Sequence, residues 1–206
     1  IIELVQGGGG DNHLGEEYVR GIKDICEKND ILFIIDEVQT GFGVSGKLWC
    51  YEHYQVEPHL VTFGKKAQLS GIAVQEKFAK IFERSFRLEV TWDCDIMDMI
   101  RCKYIMKAYR DNNLINNASK LGDYILTSLK EMNIFQNVRG RGFLIAFNFE
   151  NSVDRDKYDE LCFKKGLFLL PMRELTLRMR PNMALTKEEA NHTLDIMKNV
   201  NKEYFG

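Results

Sequence analysis

An aspartate and a lysine, each closing a short apolar run, are the first residues of this chain equipped for chemistry. Asp36 follows Ile31-Leu-Phe-Ile-Ile35, and Lys65 follows Leu60-Val-Thr-Phe63 and Gly64. A carboxylate can hold a neighbouring ring nitrogen protonated, and a lysine amine condenses with aldehydes. Arg178-Met-Arg180-Pro181 adds guanidinium forks of the kind that clamp carboxylates through paired hydrogen bonds. Other groups offer less. His13, His53, His59 and His192 show no i, i+4 pair, and Cys26, Cys50, Cys94, Cys102 and Cys162 contain no C-x-x-C, so no metal site is expected. Residues 41–46 match G-x-G-x-x-G, but Asp36 to Thr40 separate them from the strand and no helix opens at the third glycine. A near P-loop over residues 41–47 is followed by Leu48, where magnesium binding needs Ser or Thr.

The elements that must deliver these groups follow from periodicity. Residues 1–5 predict a short strand before the glycine run 7–10. Val19, Ile22, Ile25 and Cys26 recur at helical spacing over residues 16–29. Residues 31–35, continuously apolar and rich in β-branched types, suit a parallel strand buried on both faces. Residues 49–54 read as helical, and residues 60–63 as a second strand. Alternating strands and helices are the α/β signature, and such sheets bind ligands outside the carboxyl ends of their strands. An acid and an amine brought to one sheet edge are what pyridoxal phosphate chemistry needs. The amine bonds the cofactor aldehyde and the acid keeps the pyridine nitrogen protonated. Taken alone, the same pair also fits two ordinary polar residues at strand ends.

Residues 96–130 predict long helix broken near Asp111-Asn112-Asn113, which puts a domain boundary near Asp95: residues 1–95, then 96–206. The tail predicts a turn at Arg139-Gly-Arg-Gly142, strands over 143–149, 167–170 and 175–179, and a helix over 154–165. A last amphipathic helix starts at Thr186, with Glu189 completing a capping box.

Composition narrows the function classes. The chain has 206 residues, 45% hydrophobic and 28% charged, with 16 Gly and 3 Pro, which excludes a disordered or collagen-like chain. Its 28 Lys+Arg against 30 Asp+Glu give a net charge of -2 and no basic footprint for nucleic acid. No apolar run is long enough to span a bilayer, and no leader pattern opens the sequence. With unpaired cysteines, the expectation is a cytoplasmic protein with reduced thiols.

Asp36-Glu-Val-Gln-Thr-Gly-Phe-Gly43, followed by Pro58-His-Leu-Val-Thr-Phe-Gly-Lys-Lys66, resembles the class III aminotransferases of pyridoxal phosphate fold type I. Gly9-Gly-Asp-Asn-His13, Gln68, Arg87-Leu88, Thr91-Trp92 and Arg139-Gly-Arg-Gly142 resemble its lysine ε-aminotransferase subfamily. The resemblance is collinear over almost the whole chain. It implies the carboxyl-terminal part of the large mixed α/β domain in residues 1–95, then a small α+β domain with its linking helix in residues 96–206. It further implies Lys65 as the cofactor-bonding lysine and proton carrier, with Lys66 as the alternative if the register slips by one. Asp36 would pair with the pyridine nitrogen, Val38 would pack on the ring face, and Gln39 would bond the ring 3-oxygen. Thr91 would reach the phosphate of a neighbouring subunit, hence a homodimer with shared sites. Arg178 would hold the substrate α-carboxylate. The implied reaction moves the ε-amino group of L-lysine to 2-oxoglutarate, giving 2-aminoadipate 6-semialdehyde and glutamate. An ornithine-type or 4-aminobutyrate-type donor and a catalytically silent subunit stay open.

Departures from the family pattern cluster near this chemistry. Gly8 stands where the family carries Glu, so Arg178 is expected to lie uncovered. Asp93-Cys94-Asp95 stands where Gly-Gly-Asn is usual, bringing negative charge toward a phosphate. Leu4, Glu89 and Asn182 replace a Pro, an Asn and a second Pro. The family's amino-terminal half supplies the phosphate loop, the stacking aromatic and a second arginine, none of which these residues contain. On their own they are expected to bind cofactor weakly and turn nothing over.

Overall fold

The computed structural model describes residues 1–91 and 93–206. Trp92, part of one resemblance motif, lies outside them. Strand β1 (Val5–Gln6) pairs with β2 (Asn12–His13) around a 3₁₀ turn at Gly7–Gly9. Helix α1 (Glu16–Lys28) buries Val19 and Cys26 and leads to β3 (Ile34–Asp36). Strand β4 (Leu60–Phe63) runs parallel to β3, with Asp36 opposite Thr62, and β5 (Gly71–Val74) returns antiparallel to β4. Ile2 extends this sheet by a parallel bridge to Ile35.

Two expectations change here. The strand predicted over residues 31–35 is ordered later, because Asn29 and Asp30 close α1 and Ile31 still bonds back to Cys26. Ile31 and Leu32 consequently stay 50% and 43% exposed rather than buried on both faces. Strand β5, within Gly71-Ile-Ala-Val74, is too short to show a period. Residues 50–53 form only a 3₁₀ turn, whose Trp49 N–H donates to Glu52.

Helix α2 (Ile96–Asp111) starts at Asp95, whose carboxylate accepts from Met97 N–H at 2.7 Å. Helix α3 (Leu114–Glu131) follows the expected break at Asn112 and Asn113. A four-stranded antiparallel sheet comes next, in the order β6-β7-β9-β8, formed by β6 (Gln136–Arg141), β7 (Leu144–Asn148), β8 (Leu170–Met172) and β9 (Thr176–Met179). The sequence at 139–142 predicts a turn; instead Arg139 to Arg141 lie within β6, and only Gly142-Phe143 turns. Helix α4 (Ser152–Lys164) and helix α5 (Lys187–Tyr204) complete the tail, and Thr186 with Glu189 forms the expected capping box.

Two apolar cores result. The first gathers Leu4, Phe33, Ile35, Val44 and Tyr54 and also recruits Tyr109, Ala118, Leu121, Phe143 and Met183 from beyond residue 95. The second holds Ile125, Leu129, Ile145, Phe147, Tyr158, Leu177 and Met197. A seam joins them where a Cβ on Gly122 of α3 would lie 2.2 Å from the Gly142 carbonyl oxygen. A Cβ on Gly142, whose φ is +54°, would lie 2.5 Å from the Val44 oxygen. Phe143 N–H donates to that same Val44 oxygen at 2.8 Å.

Candidate active site

The two candidate catalytic groups come from paired parallel strands. Asp36 ends β3, Thr62 is its neighbour in β4, and Lys65 follows three residues later. Asp36 Oδ1 accepts from the Val38 N–H at 3.0 Å, which fixes the carboxylate at the strand end. Lys65 is exposed, and among the described residues its amine makes no hydrogen bond or ion pair. Its backbone has φ +44°, a left-handed conformation unusual for a side chain of this size and frequent at functional sites. Lys66 turns the other way: it is half-buried, and burial together with the nearby Arg180 charge lowers its pKa.

Close packing brings the ring-side residues in. A Cβ on Gly64 would lie 3.6 Å from Val38 Cγ1, so Val38 sits against the peptide that leads into Lys65. A Cβ on Gly7 would lie 2.1 Å from the amide nitrogen of Gln39, so only glycine there leaves the Gln39 amide its place. The carbonyl oxygen of the same Gly7 accepts from Arg178 Nη1 at 3.1 Å. Gln39 and Arg178 therefore share one glycine. Thr91 is exposed on a turn far along the chain, with no contact to this group among the described residues.

Behind Arg178 lies a charged frame that reasoning from sequence missed. Asp11 is completely buried; its Oδ2 pairs with Arg180 and its Oδ1 lies 3.6 Å from Arg178 Nη1. Arg139 holds the backbone of that loop, donating through Nε to the Asp11 oxygen at 2.9 Å and through Nη2 to the Gly10 oxygen. Arg178 is thus not left without a carboxylate neighbour, as the glycine at position 8 predicts, because Asp11 supplies one from beneath. Gly8 itself faces open space and its oxygen accepts from Arg173 Nε at 3.0 Å. The only early hint was Asp11 closing a glycine run; its partners lie more than 120 residues away, beyond the reach of local pattern. Burial lowers the pKa of Arg180 and of Arg139, opposed by Asp11. His13, held by burial and by Arg141, Arg139 and Arg180, has its pKa lowered to about 4.

The acids at 93 and 95 have local duties. Asp93 Oδ2 accepts from Val90 N–H at 3.2 Å, and Asp95 caps α2. Cys94 between them is exposed, whereas Cys26, Cys50 and Cys162 are buried.

The donor set fits pyridoxal phosphate. A carboxylate and an amine are delivered by neighbouring strands to one end of the sheet, the Gln39 amide packs on Gly7, and the buried Thr62 Oγ1 next to Asp36 has no hydrogen-bond partner among the described residues. Among the described residues no cluster of His, Cys, Asp or Glu could hold a metal ion, and no helix is long and apolar enough to cross a membrane.

A parallel strand pair followed by an acid and an amine stands beside an arginine-bearing antiparallel sheet, the mixed α/β arrangement in which the chain's family can be recognised. The chain belongs to the class-III aminotransferase family, whose sequence pattern matches residues 1–200. It is 30% identical over 209 residues to the L-lysine-epsilon aminotransferase of Mycobacterium bovis, covering 97% of this chain and 46% of that protein. It is 34% identical over 208 residues to the 4-aminobutyrate aminotransferase of Kluyveromyces lactis, covering 96% and 44%. The solved structure of lysine aminotransferase from M. tuberculosis superposes with a TM-score of 0.91 at 29% identity, over 98% of this chain and 48% of that one. Plasmodium falciparum ornithine delta-aminotransferase superposes with a TM-score of 0.87 at 29% identity, over 98% and 54%. The chain spans about half the length of the curated relatives it matches.

Proposed function

We propose that the full-length protein carrying these residues is a pyridoxal phosphate-dependent aminotransferase that moves the ε-amino group of L-lysine to 2-oxoglutarate, yielding 2-aminoadipate 6-semialdehyde and glutamate. The observation that carries the reading is the delivery of Asp36 and Lys65 by the adjacent parallel strands β3 and β4 to the same end of the sheet, with Gln39 and Arg178 meeting at Gly7. When bound, the cofactor supplies an electron sink for the charge left as a proton leaves the donor carbon. Lys65 would hold the cofactor through its amine and, when that amine is free, would carry the proton that leaves the donor carbon. Asp36 would hold the cofactor's pyridine nitrogen protonated, Val38 would pack on the ring, and Gln39 would donate to its 3-oxygen. Arg178 binds a substrate carboxylate through its fork. Thr91, exposed here, contacts the phosphate in a partner subunit of a cytoplasmic homodimer. Residues 1–95 end the large domain, and residues 96–206 form the small one.

The higher identity to the Kluyveromyces lactis enzyme supports a second donor, 4-aminobutyrate. Initial rates of glutamate formation from 2-oxoglutarate with lysine, ornithine or 4-aminobutyrate separate these readings. Lysine is expected to give the highest kcat/KM. A higher value for another donor replaces the substrate, and no turnover with any amine makes the protein a silent subunit.

A further inference from the structure

Asp11 is the one fully buried carboxylate set against the arginine frame, and its two oxygens are used unequally. Oδ2 is taken by Arg180, while Oδ1 is buried with no hydrogen-bond partner and sits 3.6 Å from Arg178 Nη1. That separation is an ion pair without a hydrogen bond. The Arg178 Nη1 proton goes to the Gly7 oxygen instead, and Arg178 Nε is buried and also unpartnered. Arg178 therefore feels a negative charge from beneath while keeping hydrogen-bonding capacity unspent.

The position of that charge is fixed. Asp11 has φ +56°, its N–H donates to the Gln6 oxygen at 3.0 Å, and Arg139 grips the oxygens of Asp11 and Gly10. Nothing at position 8 can cover Arg178 from above, because Gly8 has no side chain and open space beyond it. A carboxylate arriving at Arg178 meets the guanidinium and, behind it, the Asp11 charge. Like charges at such range in a poorly solvated site oppose each other appreciably.

We propose that Asp11 is a specificity-determining positioning residue: a fixed internal counter-ion that weakens the grip of Arg178 on substrate carboxylates and keeps them releasable. This rests on the reading of Arg178 as the carboxylate anchor. It differs from a mere brace, whose loss would disorder Arg178 and weaken carboxylate binding.

The test is glutarate, a non-reacting dicarboxylate, titrated calorimetrically into the full-length holoenzyme. Asp11→Asn keeps an acceptor for Arg180 and removes the charge. It is expected to tighten glutarate about tenfold, equivalent to about 1.4 kcal/mol, and to lower KM for 2-oxoglutarate more than it changes kcat. Asp11→Gly, which suits the left-handed φ, is a second neutral variant should the first not fold. Unchanged or weaker glutarate binding in a folded neutral variant overturns the proposal, as does failure of both variants to fold, which would make Asp11 a structural brace. Arg178→Gln separates the two readings. If it abolishes glutarate binding while neutral Asp11 variants fail to tighten it, only the counter-ion idea falls. If Arg178→Gln leaves binding intact, the anchor reading falls and takes this inference with it.

Discussion

The sheet edge at Asp36 and Lys65 and the frame around Asp11 are built in opposite ways. At the edge, two short parallel strands lead to polar groups that keep their capacity: among the described residues, a free amine, an unpartnered hydroxyl on Thr62, and a carboxylate engaged only by Val38. In the frame, Arg139 of β6, Arg178 of β9 and Arg180 just after it converge on the buried Asp11 and its loop, with bonds to the carbonyls of Gly7, Gly10 and Asp11 and an ion pair to the Asp11 carboxylate. The edge is local in sequence and open. The frame is assembled across more than 120 residues and closed. A group held covalently needs accessible reactive atoms, whereas a recognition cation needs to be held still, and the two constructions answer those two demands.

The sharpest way to break the contrast is Lys65→Ala in the full-length protein, expected to lower amino transfer on the order of 10³-fold or more, while Lys66→Ala leaves most of the rate. The reverse outcome would put chemistry on the half-buried lysine. Next is the seam that carries the frame against the edge. Gly142→Ala forces a Cβ against the Val44 oxygen at positive φ and is expected to destabilise by about 3 kcal/mol in urea unfolding. Gly8→Ala, with open space beyond it, serves as the near-neutral comparison.

Acid should attack the frame before the edge. His13 titrates at 6.5 when unfolded and at about 4 in the fold, so folding favours its neutral form. That contribution is complete above pH 6.5 and is lost as pH falls through 6.5 toward 4. Stability is expected to drop by about 2 kcal/mol between pH 7 and pH 5, and His13→Gln should flatten this part of the profile. A profile unchanged by that substitution would remove His13 from the account. The smallest effect belongs to Asp95. Replacing this cap of α2 by Ala should weaken the fold by about 1 kcal/mol, while Asp95→Asn, an equally good cap, should not. If Asp95→Asn strengthens cofactor binding, the acid is also felt at the phosphate.

What was legible in the sequence follows the same division. The strand ends at Asp36 and Lys65, the break between α2 and α3, and the Thr186 capping box rest on runs and offsets of a few residues, and the structure reproduces them. Strand β6 was hidden because Arg139-Gly-Arg-Gly142 carries turn composition; its order comes from pairing with β7 and from the bonds Arg139 makes to the loop at 10–11. Asp11 shows in the sequence only as the end of a glycine run within a resemblance motif; its role stays hidden there, since its charge is stabilised by arginines that local periodicity cannot associate with it. Residues 31–32 read as buried strand in the sequence, because an apolar run cannot reveal where the preceding helix finishes closing.

The glycine seam has a mechanical consequence. Sliding between packed layers proceeds by side chains exchanging rotamers across an interface. At Gly122, Gly142 and Val44, backbone meets backbone, so there are no rotamers to exchange. The sheet edge and the arginine frame should therefore travel as one rigid lever on the microsecond-to-millisecond scale, with the distance from Lys65 to Arg178 held constant. Adjustment to substrates of different length then falls to the glycine turn at residues 7–9, where Gly7 meets both Gln39 and Arg178.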